Sequence, residues 1–167
     1  RSIWAIKEEL KDSDFEPAGF EVSFDSGSFL DSMCLPLSED DRMYLMGKID
    51  RIDLYRENGR VLVRIVDYKS GSKSFDLEDF YYGLQLQLIL YMKAALEIEK
   101  GHHPDKKTSP AAMLYYQMQD PLIEAGEDDP AEVLRLKTLR MNGLVSSDEK
   151  VYCHLDNRLE PGCKSRM

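Results

Sequence analysis

The chain has 167 residues, 43% of them hydrophobic, a length that fits one domain and can bury about 70% of the surface its unfolded form exposes. Acidic residues outnumber basic ones 31 to 22, for a formal charge of −9, so DNA is not held by bulk attraction and any nucleic-acid contact must be local. The apolar content excludes a disordered chain, and no apolar run approaches the ~20 residues of a membrane-spanning helix.

In chain order, Trp4 to Leu10 carries apolar residues at helical spacing and reads as the end of a helix. Phe20 to Phe24 alternates like a short strand, and the Ser- and Asp-rich residues 25–41 read as an irregular connection. Two extended runs follow, Tyr44 to Tyr55 and Val61 to Lys69, separated by Asn58-Gly59. Asn-Gly is the strongest short hairpin signal, because a type I′ turn needs positive φ at both central positions. Asp79 to Lys100 is predicted as one long helix, apolar nearly all round and so buried between other elements. Ala112 to Gln119 reads as a strand closed by Asp120-Pro121. Asp129-Pro130-Ala131-Glu132 has the residues of a helix start, and that helix is expected to stop at Asn142-Gly143. Ser147 is the expected cap of a last helix through Leu155. This order predicts an α/β (α+β) fold, a mixed central sheet flanked by helices.

The hairpin carries the chemistry. A two-residue turn at Asn58-Gly59 places Ile52 opposite Ile65, Leu54 opposite Val63 and Asp53 opposite Arg64, so apolar and charged pairs are satisfied together. The same register sets Asp50 opposite Asp67, two like charges with Cβ atoms ~4.5–5.5 Å apart. A divalent cation relieves such a pair, and carboxylate oxygens suit Mg²⁺, Mn²⁺ or Ca²⁺. Lys69 lies two residues past Asp67, so alternation points it to the same face. Two carboxylates and one ammonium suit metal-assisted hydrolysis; two solvated strand-end aspartates are the plain structural alternative.

At Asp50…Asp67-Tyr68-Lys69 the sequence resembles the PD-(D/E)XK nuclease superfamily, in its RecB-like branch. Gly47-Lys48-Ile49-Asp50-Arg51-Ile52-Asp53, Val66 to Gly71, Tyr81 to Leu88 with Tyr91, Asp120 to Ile123 and Met141 to Val145 look like the nuclease domains of AddAB-type helicase–nucleases, in their AddB component. The resemblance implies a restriction-endonuclease-like core over residues 1–167, as one nuclease domain of a larger subunit, trimmed at both ends. It implies a Mg²⁺-dependent (or Mn²⁺-dependent) exonuclease that cuts single-stranded DNA beside a helicase partner subunit during double-strand-break repair. Asp50 and Asp67 match the metal ligands, with the Tyr68 carbonyl as a third, and Lys69 matches the catalytic lysine. Gln87 and Tyr91 match a Gln-x-x-x-Tyr signature; spaced i, i+4 they share a helix face, whereas Gln85 points elsewhere. An upstream histidine and the cysteine spacing of the family's iron–sulfur cluster are not evident here. A non-catalytic scaffold or DNA-guiding module that keeps the fold is the contrasting reading.

Cys34, Cys153 and Cys163 are odd in number and share no CxxC spacing, which argues against a disulfide framework or zinc site and for the reducing cytoplasm. Glu21 is weighed as an extra carboxylate but reads better as a solvated strand residue. Asp53 alternates away from Asp50 and is expected to pair with Arg64. His102-His103 reads as solvated loop, and His154 has no partner at ligand spacing. Tyr81, Tyr82, Tyr115 and Tyr116 are candidates for base stacking but are expected in the core. Positive charge expected near the site amounts to Lys48, Arg51, Lys69 and Lys73, with Lys48 opposite Lys69.

Overall fold

In the computed structural model, which describes residues 6–7, 10–25, 34–36, 42–57, 59–70, 75–83, 85–118 and 141–158, Gly59 adopts φ +85° and turns the chain between two long strands. These are β4 (Gly47–Glu57) and β5 (Arg60–Lys69). Their ladder runs from Glu57↔Arg60 through Leu54↔Val63, Asp53↔Arg64 and Ile52↔Ile65 to Arg51↔Val66, the register read from the turn. Before them come β1 (Glu16–Phe24), β2 (Cys34–Pro36) and β3 (Arg42–Tyr44). After them come helices α1 (Leu77–Tyr81) and α2 (Leu86–His102), strands β6 (Lys107–Gln117) and β7 (Asn142–Val145), and α3 (Glu149–Leu155).

Among the described residues the main sheet has the order β1-β4-β5-β6-β7, with β5 and β6 parallel and the other neighbours antiparallel. A parallel pair needs a crossover, and α2 supplies it. It lays Leu88, Met92 and Ala95 on Ile52, Leu54, Val63 and Ile65 of one sheet face. On the other face Val151 and Leu155 of α3 pack with Phe15, Leu62, Val66, Leu114 and Tyr116. This is the mixed α/β restriction-endonuclease-like arrangement expected from the sequence.

Several elements depart from the sequence reading. The run from Tyr44 breaks at 45–46, and its first residues join β2 in a separate two-stranded ribbon inside the expected irregular connection. The long helix is two: Asp76 caps α1 by accepting from the N–H groups of Glu78 (2.7 Å) and Asp79 (3.1 Å), and Gly83 at φ +77° turns the chain before α2. Nor is α2 buried all round, since Leu86 and Ile89 are exposed. Asn142-Gly143 opens β7 rather than ending a helix. A Cβ at Gly143 would overlap the Met113 carbonyl oxygen, so glycine is what lets β7 approach β6. The cap of α3 is Asp148, one residue after Ser147, accepting from the Lys150 N–H at 3.0 Å. Most of the expected helices at 4–10 and 129–141 lies outside the described residues.

Behind β4 and β5 sits a buried charge cluster. Asp53 accepts from Arg51 at 2.6 and 2.7 Å and from Arg64 Nε at 2.8 Å, and all three side chains are fully buried. The Arg64 guanidinium also lies 5.2 Å from the centre of the Phe15 ring. At the end of this face the first and last described segments are clasped: His154 Nδ1 contacts Asp14 at 2.8 Å, Asn157 donates to Asp14 at 2.9 Å, and the imidazole stacks on Tyr55. His154 therefore has partners, supplied from 140 residues away in sequence.

Removing one member of a buried charge cluster leaves the others uncompensated. Asp53→Ala is expected to lower the unfolding free energy by about 3–5 kcal/mol, read by urea denaturation. A loss below about 1 kcal/mol, the size of an exposed pair, would contradict the cluster's structural role.

Candidate active site

One step beyond Arg51↔Val66 the ladder of β4 and β5 gives way to side-chain chemistry. Asp50 and Asp67 follow in register, and Asp50 Oδ2 accepts from the backbone N–H of Tyr68 at 2.8 Å. Asp67 is buried, and Lys69 Nζ, 2.6 Å from its Oδ2, is the one close polar partner of that atom among the described residues. Burial pushes the Asp67 carboxyl up; the Lys69 hydrogen bond and charge oppose the rise, the Asp50 charge adds to it, and the net direction is upward.

The ammonium of Lys69 is shared with α2. It donates to Gln87 Oε1 at 2.9 Å, and Gln87 Nε2 donates to the Tyr91 hydroxyl at 2.8 Å. The two helix residues thus form one chain that ends on Lys69, as their i, i+4 spacing allows. Gln85 turns away, accepting from the Asp76 N–H at 3.4 Å. Tyr91 also packs edge-on against Phe24 of β1 (centroids 5.8 Å apart), and a Cβ at Gly47 would meet both rings. Glycine there leaves room for Tyr91 beside the strand.

Tyr115 of β6 belongs to this group, although the sequence reading assigned it to the core. The parallel register sets it beside Asp67, and Lys69 Nζ lies 5.1 Å from its ring centre. Nothing local in the sequence marks it. Its place depends on how β6 aligns with β5 across the intervening helix.

The expected supply of positive charge is smaller in three dimensions. Arg51 lies on the opposite face, committed to Asp53. Lys48 forms an ion pair with Glu21 of β1 at 3.1 Å. Strict alternation fails here, because Ile49 and Ile52, three residues apart, both join the core under α2. Glu21, between the partners Phe20↔Arg51 and Val22↔Ile49, has φ +50°. Lys73 lies outside the described residues. His102 and His103 do not form a free loop: His102 ends α2, and both rings lie 3.5–3.7 Å from the buried Glu99. Tyr116 is core as expected, whereas Tyr81 and Tyr82 are 83% and 69% exposed.

Among the described residues no three His, Cys, Asp or Glu side chains converge on a point. The donor set for a cation is therefore two carboxylates with a backbone carbonyl. All are hard oxygen donors, and Asp67 Oδ2 is a buried acceptor whose one partner is a mobile ammonium. That set fits Mg²⁺ or Mn²⁺, which bind through one or two carboxylates and complete their shells with water and phosphate.

Residues 1–159 match the family model of the PD-(D/E)XK nuclease superfamily. The chain belongs to that superfamily. Members of it generally use divalent metal ions. The chain is also 40% identical over 163 residues to the AddB-type component of the ATP-dependent helicase/deoxyribonuclease of Clostridium acetobutylicum, a match that covers 96% of this chain and 14% of that protein. The proteins of the same name from Ruminiclostridium cellulolyticum and Clostridium perfringens are each 39% identical, over 96% and 99% of this chain and 14% of theirs. The chain thus spans about one seventh of the length of these relatives. No helix among the described residues is long and apolar enough to cross a membrane.

Because the folded Asp67 value lies above the unfolded one, its contribution to stability is fully present below the ordinary carboxylate value of 3.8 and is lost as pH rises through the folded value. In metal-free protein Asp67→Asn is expected to remove that loss and melt at or above the wild-type temperature at neutral pH. With Mg²⁺ at about 100 times its dissociation constant the order should reverse, wild type gaining about 2.7 kcal/mol. Melting curves with and without Mg²⁺ decide it, and a large loss in the metal-free variant would make Asp67 chiefly structural.

Proposed function

We propose that this chain is the nuclease domain of a helicase–nuclease subunit, a Mg²⁺-dependent exonuclease unit that hydrolyses DNA phosphodiester bonds at double-strand breaks in the cytoplasm. The observation that carries the reading is the set Asp50, Asp67 and Lys69, with Gln87 and Tyr91 behind the lysine. A scaffold gains nothing from opposed carboxylates, and the names of the relatives supply the helicase and DNA context.

Asp50, Asp67 and the Tyr68 carbonyl would hold the cation, which would supply charge to neutralise the phosphate and acidify a water. Lys69 has three N–H groups, of which Asp67 and Gln87 take two. The third is left to orient the attacking water or to stabilise the charge growing on a phosphate oxygen. Gln87 fixes the direction of that donor, and Tyr91 fixes Gln87. Partial positive charge at the N-terminal end of α2, where Gln87 sits, favours a phosphate on the same side.

Affinity for DNA must come from elsewhere. With Arg51 buried and Lys48 paired to Glu21, the cations at the site do not offset a chain charge of −9. A helicase partner subunit that threads single-stranded DNA past the site would replace affinity with proximity. Cutting of labelled single-stranded DNA with Mg²⁺ or Mn²⁺ at low salt tests this. The full-length protein with its partner should cut, Lys69→Ala should lower the rate by about 10²-fold or more, and residues 1–167 alone should cut feebly. Wild-type cutting by the Lys69→Ala assembly would overturn the reading.

A further inference from the structure

We propose that Tyr115 is a positioning residue of this site, its ring holding the Lys69 ammonium in place once the Asp67 carboxylate is shared with a cation. The inference rests on the nuclease reading above and assigns a role to a residue outside the Asp50, Asp67, Lys69, Gln87 and Tyr91 set.

A lysine is a compact charge on a flexible four-carbon stem, so an ammonium that must act at one point needs to be held from several sides. Three elements hold this one. Asp67 of β5 lies at 2.6 Å, Gln87 of α2 at 2.9 Å, and the Tyr115 ring of β6 has its centre 5.1 Å away. A cation within about 6 Å of an aromatic ring centroid, over its face, is attracted by the ring's quadrupole, and more strongly where water is excluded. Water is largely excluded here: Tyr115 is 8% exposed and the Lys69 side chain 23%.

The three contacts do not survive equally. A cation on Asp67 competes for the oxygen that Lys69 now holds, and its charge repels the ammonium. The short ion pair is therefore the contact that weakens when the site is loaded. Gln87 is on an exposed stretch of helix and its amide is free to turn. Tyr115 is locked: it pairs with Asp67 on one side and Asn142 on the other, and packs into the core beneath α2. Its ring is neutral, so a metal ion does not capture it. The ring alone among the three is both rigid and indifferent to the cation.

The ring face holds the ammonium and the hydroxyl does not, so phenylalanine should serve and leucine should not. In the 167-residue chain, NMR of ¹³C/¹⁵N-lysine protein should show Lys69 ε-methylene and ammonium protons displaced upfield by the ring. The displacement should persist on adding Mg²⁺, remain in Tyr115→Phe and vanish in Tyr115→Leu. In the full-length protein with its partner, Tyr115→Leu should lower kcat about tenfold with KM unchanged, as expected for loss of a desolvated cation–π contact acting in the transition state, while Tyr115→Phe keeps the wild-type rate. Absence of the ring-current displacement in wild type with Mg²⁺, or wild-type kcat in a folded Tyr115→Leu, would overturn the proposal. If Tyr115→Leu fails to fold, the wild-type spectrum with Mg²⁺ decides alone. Lys69→Ala in the same assay separates the two readings: if it cuts normally the nuclease reading falls, and if only Tyr115→Leu cuts normally this inference falls by itself.

Discussion

Carboxylates set opposite each other on neighbouring strands repel unless positive charge stands between them. In this chain the repulsion falls at Asp50 and Asp67, one step beyond the last backbone pair of β4 and β5. The surroundings answer it without removing it. The Tyr68 N–H takes one oxygen of Asp50, and Lys69 takes one of Asp67. A lysine that neutralises a carboxylate in metal-free protein and turns to substrate in the loaded site gives the same residues two uses. The fold and the reactive site are thus parts of one electrostatic arrangement.

That arrangement holds only in one register, and the register is enforced from both faces of the sheet. On the α2 side, Ile52↔Ile65 and Leu54↔Val63 fill the core. On the other side, Asp53↔Arg64 buries a carboxylate between two guanidiniums. A slip of one residue would move both sets to the wrong face at once. The buried cluster also touches the site from behind, since Arg51 reaches the hydroxyl of Tyr68, the residue whose N–H holds Asp50.

What could be read from the sequence was whatever depends on neighbours in sequence. Asn58-Gly59 dictates its own turn, and the turn dictates the opposition of Asp53 and Arg64 and the approach of Asp50 to Asp67. The i, i+4 relation of Gln87 and Tyr91 is equally local. Errors gathered where long-range geometry decides. Tyr115 reaches Lys69 only because β6 lies parallel to β5, and His154 meets Asp14 only because the two ends of the described chain are brought together. Gly143 looked like a helix stop because glycine serves turns and close strand approaches alike. Lys48 and Arg51 were placed by unbroken alternation, and the chain breaks alternation at Asp50, beside the left-handed Glu21.

The measurement that reaches the central claim most directly is a crystal structure of the chain soaked in Mn²⁺, with data collected at the manganese absorption edge. One anomalous peak is expected within coordination distance of carboxylate oxygens from both Asp50 and Asp67, with the Lys69 ammonium moved off Asp67 but still over the Tyr115 ring. A peak held by only one of the two aspartates, or none at that position under saturating Mn²⁺, would contradict it.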